Sequence, residues 1–252
     1  MKYDAQDCIL VSKKQLTSTV YDFRLKNQHL AEITKPGQFV QVLVPGKTLR
    51  RPISVCDVED DIIRIVFEVR GDGTRIMSEM NVNDKVNIIA PLGRGFDIDK
   101  EKKTIFIGGG IGVPPMLYSA RQAGKNAVVI NGFRNKDAVI LSEDFEKYVS
   151  RLIITTDDGS CGIHGFVTQP LEDEIHTAEM ICACGPLPML KNIAKMAKEH
   201  GVPCYVSLEQ RMACGIGACL GCAVAVKRSD NETFFQHVCK DGPVFNAEEV
   251  DW

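Results

Sequence analysis

The sequence has no strong excess of either charge. Its 30 Lys and Arg residues nearly balance 33 Asp and Glu residues, which gives a formal net charge of −3 at pH 7. A protein that binds nucleic acid mainly by neutralising phosphates carries a clear basic excess. The composition therefore disfavours nucleic acid as the partner of this chain.

Long apolar runs are also missing. The strongest candidate, residues 105–117, is broken by four glycines and two prolines, whereas a membrane-spanning helix needs roughly 18 apolar residues in a row. The first ten residues, MKYDAQDCIL, lack the basic flank and the apolar core of a signal peptide. We therefore expect a soluble, cytoplasmic protein that does not contact a membrane.

Cysteine, in contrast, is plentiful, with ten among 252 residues. In a reducing compartment, cysteines that gather locally indicate a metal site rather than disulfides. Six are scattered, and for each of these we expect a small buried side chain. These six are Cys8, Cys56, Cys161, Cys182, Cys184 and Cys204.

The hydrophobic pattern predicts three segments along the chain. Residues 1–98 carry short runs rich in Val, Ile and Phe between turn sequences, which is typical of a small antiparallel β-barrel. Residues 99–207 alternate apolar strands with helices, which predicts a parallel-sheet nucleotide-binding domain. Residues 208–252 form a cysteine-rich module that is too small to fold without a metal.

The individual elements follow from the same pattern. Barrel strands are predicted over residues 8–13, 19–25, 38–44, 53–58 and 62–69, with a short helix over 74–80. Strands of the parallel sheet are predicted over 104–107, 127–131, 152–155, 179–183 and 203–207, and its helices over 114–124, 143–149 and 188–199.

The four remaining cysteines are the strongest functional signal. Cys214, Cys219, Cys222 and Cys239 have the spacing C-x4-C-x2-C-x16-C, which is the plant-type spacing of a [2Fe–2S] cluster. The loop between the first three contains several glycines, which permit the special dihedral angles of a tight loop. A structural zinc site is the main alternative, but such sites usually contain two short Cys pairs, and here only Cys219 and Cys222 form one.

Two glycine-containing turns predict a dinucleotide site. The first is Gly108-Gly109-Gly110-Ile111-Gly112, between a strand and a helix, and the second is Cys184-Gly185-Pro186. Turns of this kind at the carboxyl ends of parallel strands form a crevice for a dinucleotide. The first turn departs from G-x-G-x-x-G because Pro115 occupies the last glycine position, so a tight turn without a ligand stays an alternative.

The barrel segment contains a further motif pair. Arg50-Arg51-Pro52-Ile53-Ser54 begins one strand, and Glu68-Val69-Arg70-Gly71-Asp72-Gly73-Thr74 ends another and starts a helix. An arginine can bind a pyrophosphate, and a helix start offers N–H groups to a phosphate. From residue types alone, a surface arginine pair and an ordinary helix start explain the same residues.

The order of these motifs resembles the ferredoxin–NADP reductase superfamily, in which an FAD-binding barrel precedes a pyridine-nucleotide domain. With the C-terminal cysteine module, the whole chain resembles the electron-transfer subunits of NAD-dependent dihydroorotate dehydrogenases. The resemblance implies an FAD-binding barrel, an NAD-binding α/β domain and a [2Fe–2S] module. It also implies a set of FAD contacts, namely Arg51, Pro52, Ile53, Ser54, Glu68, Val69, Arg70, Gly73 and Thr74.

For the nucleotide and the metal, the resemblance implies that NAD lies along Gly108, Gly109, Gly110 and Gly112, with Gly185 and Pro186 nearby. It places Cys184 beside the reactive carbon of the nicotinamide, as the catalytic residue. The same four late cysteines would be the ligands of the cluster.

The resemblance further implies an electron path used in pyrimidine (UMP) biosynthesis. Dihydroorotate would reduce FMN in a catalytic partner subunit, and electrons would cross the cluster and FAD to NAD+. The assembly would be a heterotetramer with two copies of each subunit. Two alternatives stay open: a subunit feeding a sulfhydrogenase or a glutamate-synthase-like complex, and a non-catalytic iron–sulfur redox sensor.

Overall fold

The first part of the fold is a closed antiparallel barrel. The structure is a computed structural model that describes residues 3–227 and 232–252. Six strands pair in the order β1-β2-β5-β4-β3-β6, which confirms the predicted barrel. They are β1 (Asp4–Gln15), β2 (Val20–Lys26), β3 (Phe39–Val42), β4 (Arg51–Glu59), β5 (Ile62–Glu68) and β6 (Lys85–Leu92). Two helices accompany them, α1 (Gln28–Ile33) and α2 (Asp72–Glu79).

Strand β3 is buried on both of its faces. Alternate residues of a strand point to opposite sides, and Val40 and Val42 belong to the barrel core. Phe39 packs instead in the hydrophobic cluster that contains Cys222 and Cys239. The outer face of this strand is therefore covered by the C-terminal cysteine module.

The second part is a seven-stranded sheet with the order β10-β9-β8-β7-β11-β12-β15. Its strands are β7 (Thr104–Gly109), β8 (Ala127–Phe133), β9 (Arg151–Thr156), β10 (Ile163–His164), β11 (Met180–Cys184), β12 (Cys204–Ser207) and β15 (Val244–Asn246). The first six are parallel, which confirms the predicted parallel sheet and adds β10 to its five predicted strands, and only β15 is antiparallel to its neighbour. Helices flank the sheet: α3 (Pro114–Ala123), α4 (Ser142–Glu146), α5 (Thr168–Glu174) and α6 (Leu187–His200).

The C-terminal module is attached to both other parts. It contains a hairpin of β13 (Ala223–Lys227) and β14 (Thr233–His237). Its following strand, β15, then joins the edge of the parallel sheet. The module thus bridges the barrel and the sheet instead of extending away from them.

Buried ion pairs join the barrel to the parallel-sheet domain. Arg64 of β5 binds Asp22 of β2 at 2.8 Å and Asp144 of α4 at 2.9 Å, and the side chains of Arg64 and Asp22 are less than one-tenth exposed. Arg121 of α3 binds the buried Asp57 of β4 at 2.6 Å. These charged contacts fix the orientation of the two domains.

Five of the six scattered cysteines are buried, as predicted, and the expectation for Cys161 is wrong. Cys161 lies half-buried in the loop after β9, where its backbone N–H donates to Thr156 Oγ1 at 3.1 Å. Thr156 Oγ1 also donates to the carbonyl oxygen of Cys161 at 2.7 Å, so two hydrogen bonds join the backbone of this residue to Thr156. Among the described residues, no helix has the length and apolarity needed to span a membrane.

Candidate functional site

An open cleft lies where the barrel, the parallel sheet and the cysteine module meet, with a cavity volume of about 230 Å³. The barrel contributes Ser54, the turn after β7 contributes Ile111, and the segment leading into the module contributes Met212. Six of the predicted FAD contacts line this cleft: Pro52, Ile53, Ser54, Glu68, Arg70 and Thr74. The folded chain therefore brings together two motifs that are separated in the sequence.

Arg51 lies against the first turn of α2. A Cβ atom on Gly73 would lie 2.6 Å from Arg51 Cζ, so the missing side chain makes room for the guanidinium. Helix α2 begins beside this contact, and its first N–H groups carry a partial positive charge. An arginine and a helix N-terminus at one place form a site suited to a phosphate group.

The start of α2 is held by Thr74. Its Oγ1 accepts hydrogen bonds from the backbone N–H of Arg70 at 2.9 Å and of Gly71 at 3.3 Å. The guanidinium of Arg70 donates to Glu68 Oε2 at 2.6 Å. Val69, in contrast, uses its backbone N–H within the barrel, where it donates to Thr19 O.

The two glycine turns contact each other at the end of the parallel sheet. Gly108 and Cys184 are register partners on the adjacent strands β7 and β11. A Cβ on Gly112 would lie 2.6 Å from the carbonyl carbon of Cys184, and one on Gly109 would lie 2.6 Å from Met189 Sδ. Gly185 lies directly beside Gly109 with a positive φ of +155°. The two turns that border the predicted crevice are therefore in close backbone-to-backbone contact, which only glycine permits at these positions.

Cys184 ends strand β11 with a thiol that is only 1% exposed. Burial raises its pKa to about 12, with a further rise from the nearby charge of Glu209, while a hydrogen bond with Ser207 opposes the increase. At neutral pH the side chain is a thiol and not a thiolate. It can shape the site and form weak hydrogen bonds, but it cannot act as a nucleophile in this state.

The four late cysteines form two close pairs. The Sγ atoms of Cys222 and Cys239 are 3.3 Å apart and both residues are buried, while Cys214 hydrogen-bonds to the side chain of Cys219. Over residues 3–227 and 232–252, no three potential metal ligands converge on a single point. A zinc ion needs four ligands around one point, whereas each iron of a [2Fe–2S] cluster takes two thiolates. The paired arrangement thus fits two irons better than one zinc.

Backbone N–H groups surround these sulfurs. Gly217 N donates to Cys239 Sγ at 3.2 Å. Burial opposes ionisation of Cys214, but hydrogen bonds from the N–H groups of Ile216, Cys219 and Ala218 lower its pKa to about 6. Burial and the neighbouring Cys222 raise the pKa of Cys239 to about 12. Donors of this kind suit thiolate ligands, which accept hydrogen bonds from the peptide backbone.

Several cleft residues gave no signal in the sequence. They are Phe39, Val66, Phe67, Ser207, Leu208, Glu209, Gln210, Met212 and Pro243. Most of them lie on the outer side of a barrel strand or in the segment between β12 and the first cluster cysteine. No motif distinguishes them, and of this set only Ser207, at the end of the parallel strand β12, lies where such a sheet usually binds a ligand.

Comparisons of this sequence with those of known proteins agree with an iron–sulfur module at the C-terminal end. The sequence model described as the iron–sulfur cluster binding domain of dihydroorotate dehydrogenase B matches residues 209–251. The chain is 40% identical over 243 residues to the dihydroorotate dehydrogenase B (NAD(+)) electron transfer subunit of Caldanaerobacter subterraneus subsp. tengcongensis, with 96% of each chain covered. It is 39% identical to that of Streptococcus mutans, with 97% of each covered.

Solved structures agree with the sequence comparisons. An NADH-dependent reduced ferredoxin-NADP oxidoreductase structure, described in terms of flavin-based electron bifurcation, matches with a TM-score of 0.85 and 31% identity, over 97% of this chain and 90% of that chain. The cytochrome P450 reductase GcoB of Amycolatopsis shares the fold, with a TM-score of 0.66 and 20% identity over 79% of this chain and 66% of its own. The chain therefore belongs to the family of dihydroorotate dehydrogenase B (NAD(+)) electron transfer subunits.

Proposed function

We propose that this chain carries electrons from a catalytic partner subunit, which oxidises dihydroorotate, to NAD+ in pyrimidine biosynthesis. The observation that supports this most directly is the shared cleft, which is bounded by the barrel, the glycine turn and the cysteine module together. Redox groups bound by three parts of the chain that meet at one cleft could exchange electrons in sequence. We assign residues 1–98 to flavin binding, 99–207 to the nicotinamide nucleotide and 208–252 to the cluster.

The barrel side of the cleft fits FAD. We assign the pyrophosphate to Arg51, Gly73 and the N-terminus of α2, where a cation and free N–H groups meet. Ser54 would face the flavin ring system from the barrel, and Thr74 would hold the helix start in place. When bound, a flavin exchanges electrons singly or in pairs, and it therefore suits a chain between a one-electron iron–sulfur centre and a two-electron nicotinamide.

The glycine turns provide the site for NAD+. We assign the nucleotide phosphates to the backbone of the Gly108–Gly112 turn, which the close contact of Gly109 and Gly112 with the Cys184–Pro186 turn holds in place. Helix α3 itself begins with Pro114 and Pro115, which carry no N–H. We assign Cys184 to the nicotinamide end of this site, where its buried, neutral thiol would support the turn beside the ring without forming a bond to it. Its role would then be to position the ring and not to transfer a proton.

The partner subunit supplies the chemistry that this chain lacks. Oxidation of dihydroorotate removes two electrons and two protons, NAD+ takes up a hydride, and one proton is released. We propose that the partner holds FMN and that two copies of each subunit assemble. The cluster loop would face the partner, because Leu220 between two of the cluster cysteines is 79% exposed.

The test mixes the purified chain, loaded with FAD and iron–sulfur cluster, with the purified catalytic subunit. We expect dihydroorotate-dependent formation of NADH in the mixture and none with either subunit alone. A chain that oxidises dihydroorotate without the partner would contradict the division of roles. A mixture that reduces artificial dyes but never NAD+ would contradict the direction of the electron path.

A further inference from the structure

Gln41 is a buried polar residue between the flavin cleft and the cluster loop. Its side chain is completely buried on the outer face of β3. Its register partner on β4 is Pro52, which lines the cleft. Residues directly opposite each other in an antiparallel pair present their side chains on the same face. The carboxamide of Gln41 is therefore adjacent to the flavin-binding strand.

The same carboxamide touches the cluster loop. A Cβ on Gly215 would lie 2.7 Å from Gln41 Cγ and 2.9 Å from Gln41 Cδ, and Gly215 has a left-handed φ of +71°. Gly215 directly follows Cys214, a predicted cluster ligand. Both the backbone conformation and the close contact require glycine here, so the loop is shaped to accept the Gln41 side chain.

The hydrogen bonds of Gln41 are incomplete. Its Nε2 reaches only the thioether of Met212, at 3.9 Å, and its Oε1 has no partner among residues 3–227 and 232–252. A buried amide with unmade hydrogen bonds destabilises the folded state, because it has lost its contacts with water. An apolar side chain of similar size would avoid this cost at a position that only packs. The polar group at this place therefore indicates a role beyond packing.

Resting on the proposed function, we propose that Gln41 is a positioning residue that seats the Cys214–Gly215 segment against β3 and offers its Nε2 as a donor to the sulfur atoms of the cluster. Thiolate and sulfide sulfurs are better acceptors than a thioether. Hydrogen bonds to cluster sulfurs also stabilise the reduced, more negative state and so raise the reduction potential. Gln41 would thus set both the position of the cluster relative to the flavin and the reduction potential of the cluster.

The test compares Gln41→Met with the wild type and with a matched control, Gln15→Met. Gln41→Met keeps the length of the side chain and removes the amide. Gln15 is an exposed residue at the end of β1 whose Nε2 donates to Ser18 O at 3.2 Å. Each protein is loaded with FAD and cluster. The readouts are iron and flavin content, the cluster potential in a titration followed by electron paramagnetic resonance, and the rate at which NADH reduces the cluster.

We expect Gln41→Met to keep its FAD and its NADH–ferricyanide activity, which needs only the flavin. Its cluster should have a more negative potential, and NADH should reduce it about 10- to 100-fold more slowly, the usual effect of losing an outer partner of a metal site. Gln15→Met should match the wild type. Gln41→Asn, which keeps a shorter amide, provides a second variant if Gln41→Met does not accumulate, and it should give an intermediate shift.

A wild-type potential and a wild-type rate in Gln41→Met would overturn the role of Gln41. A different result would refute the proposed function instead, namely that in the wild-type protein dithionite reduces the cluster but NADH does not. In that case the potential of Gln41→Met still decides the role of Gln41, because that measurement does not depend on electron flow from NADH.

Discussion

Substitution of Gly73 by alanine should weaken FAD binding without weakening the fold. The new methyl group would lie 2.6 Å from Arg51 Cζ, inside the contact distance of two carbon atoms, so the guanidinium has to leave the N-terminus of α2. The backbone itself has no reason to change, because Gly73 is the second residue of α2 and alanine is the better helix former by about 0.5–1 kcal/mol.

The size of the effect follows from the interaction that is lost. A hydrogen bond to a charged group contributes about 1.5–3 kcal/mol, and each 1.4 kcal/mol corresponds to about a tenfold change in affinity. We therefore expect the dissociation constant of FAD to rise by about 10- to 150-fold. The assay titrates FAD into flavin-free protein and follows the quenching of flavin fluorescence.

Gly71→Ala is the matched control for this experiment. It lies two residues earlier, and a Cβ there would meet no atom within 4 Å. It should therefore keep wild-type FAD affinity. Equal FAD affinity in Gly73→Ala and in the wild type would refute the assignment of the pyrophosphate to Arg51 and α2. Loss of affinity together with a lower melting temperature would refute the claim that the substitution acts only through Arg51.

Three further predictions concern the nucleotide site, the domain contact and the response to pH. In Gly112→Ala the new methyl would lie 2.6 Å from the carbonyl carbon of Cys184, so the two turns should separate. We expect kcat/KM for NADH in a ferricyanide assay to fall by up to about 100-fold, since displacements near 1 Å have such effects. A wild-type kcat/KM at normal FAD content would contradict the shared crevice. Arg64→Met should lower the free energy of unfolding by about 3–5 kcal/mol, because it leaves the buried carboxylate of Asp22 uncompensated. Asp144→Asn should lower the unfolding free energy less than Arg64→Met does, because Arg64 still pairs with Asp22. Urea unfolding measures both values, and a larger loss in Asp144→Asn would refute this explanation. Burial raises the pKa of Cys8, Cys184 and Cys204 from 9.0 to about 12. Above pH 9 the unfolded chain therefore binds fewer protons than the folded chain. These thiols should leave the unfolding free energy of the metal-free protein constant below pH 9 and should lower it between about pH 9 and 12. An unfolding free energy that rises across this range in urea titrations would contradict the burial of these thiols.

The sequence predicted five of the six parallel strands, β7, β8, β9, β11 and β12, since each is a short, largely buried apolar run between turns. Strand β10 was missed, because it has only two residues and both are exposed. The barrel was harder to predict. Strand β6 (Lys85–Leu92) was missed because Pro91 interrupts its pattern, although the fold tolerates a proline at the end of a strand. Helix α1 (Gln28–Ile33) was also missed, because it has only six residues; its start is capped by Asn27, whose Oδ1 accepts from Leu30 N at 3.0 Å.

The candidate site was predictable in its motifs but not in its contacts. Spacing alone predicts the four cysteines as cluster ligands, but it could not show that they lie in two pairs. The sequence also placed Gly73 at a helix start without indicating that it makes room for Arg51. Gln41 gave no signal, because it lies in a four-residue strand whose outer face is buried only when the C-terminal module folds over it. Contacts between segments far apart in the chain decide these features.

The most direct test of the account is a titration of the isolated chain, purified without oxygen and loaded with FAD and iron, with NADH under electron paramagnetic resonance. We expect one FAD, two irons and no zinc per chain, and a paramagnetic signal of a reduced [2Fe–2S] cluster that grows as NADH is added. The signal should be absent in Cys219→Ser. A protein that contains zinc without iron, or an iron signal that persists unchanged in Cys219→Ser, would contradict the central claim.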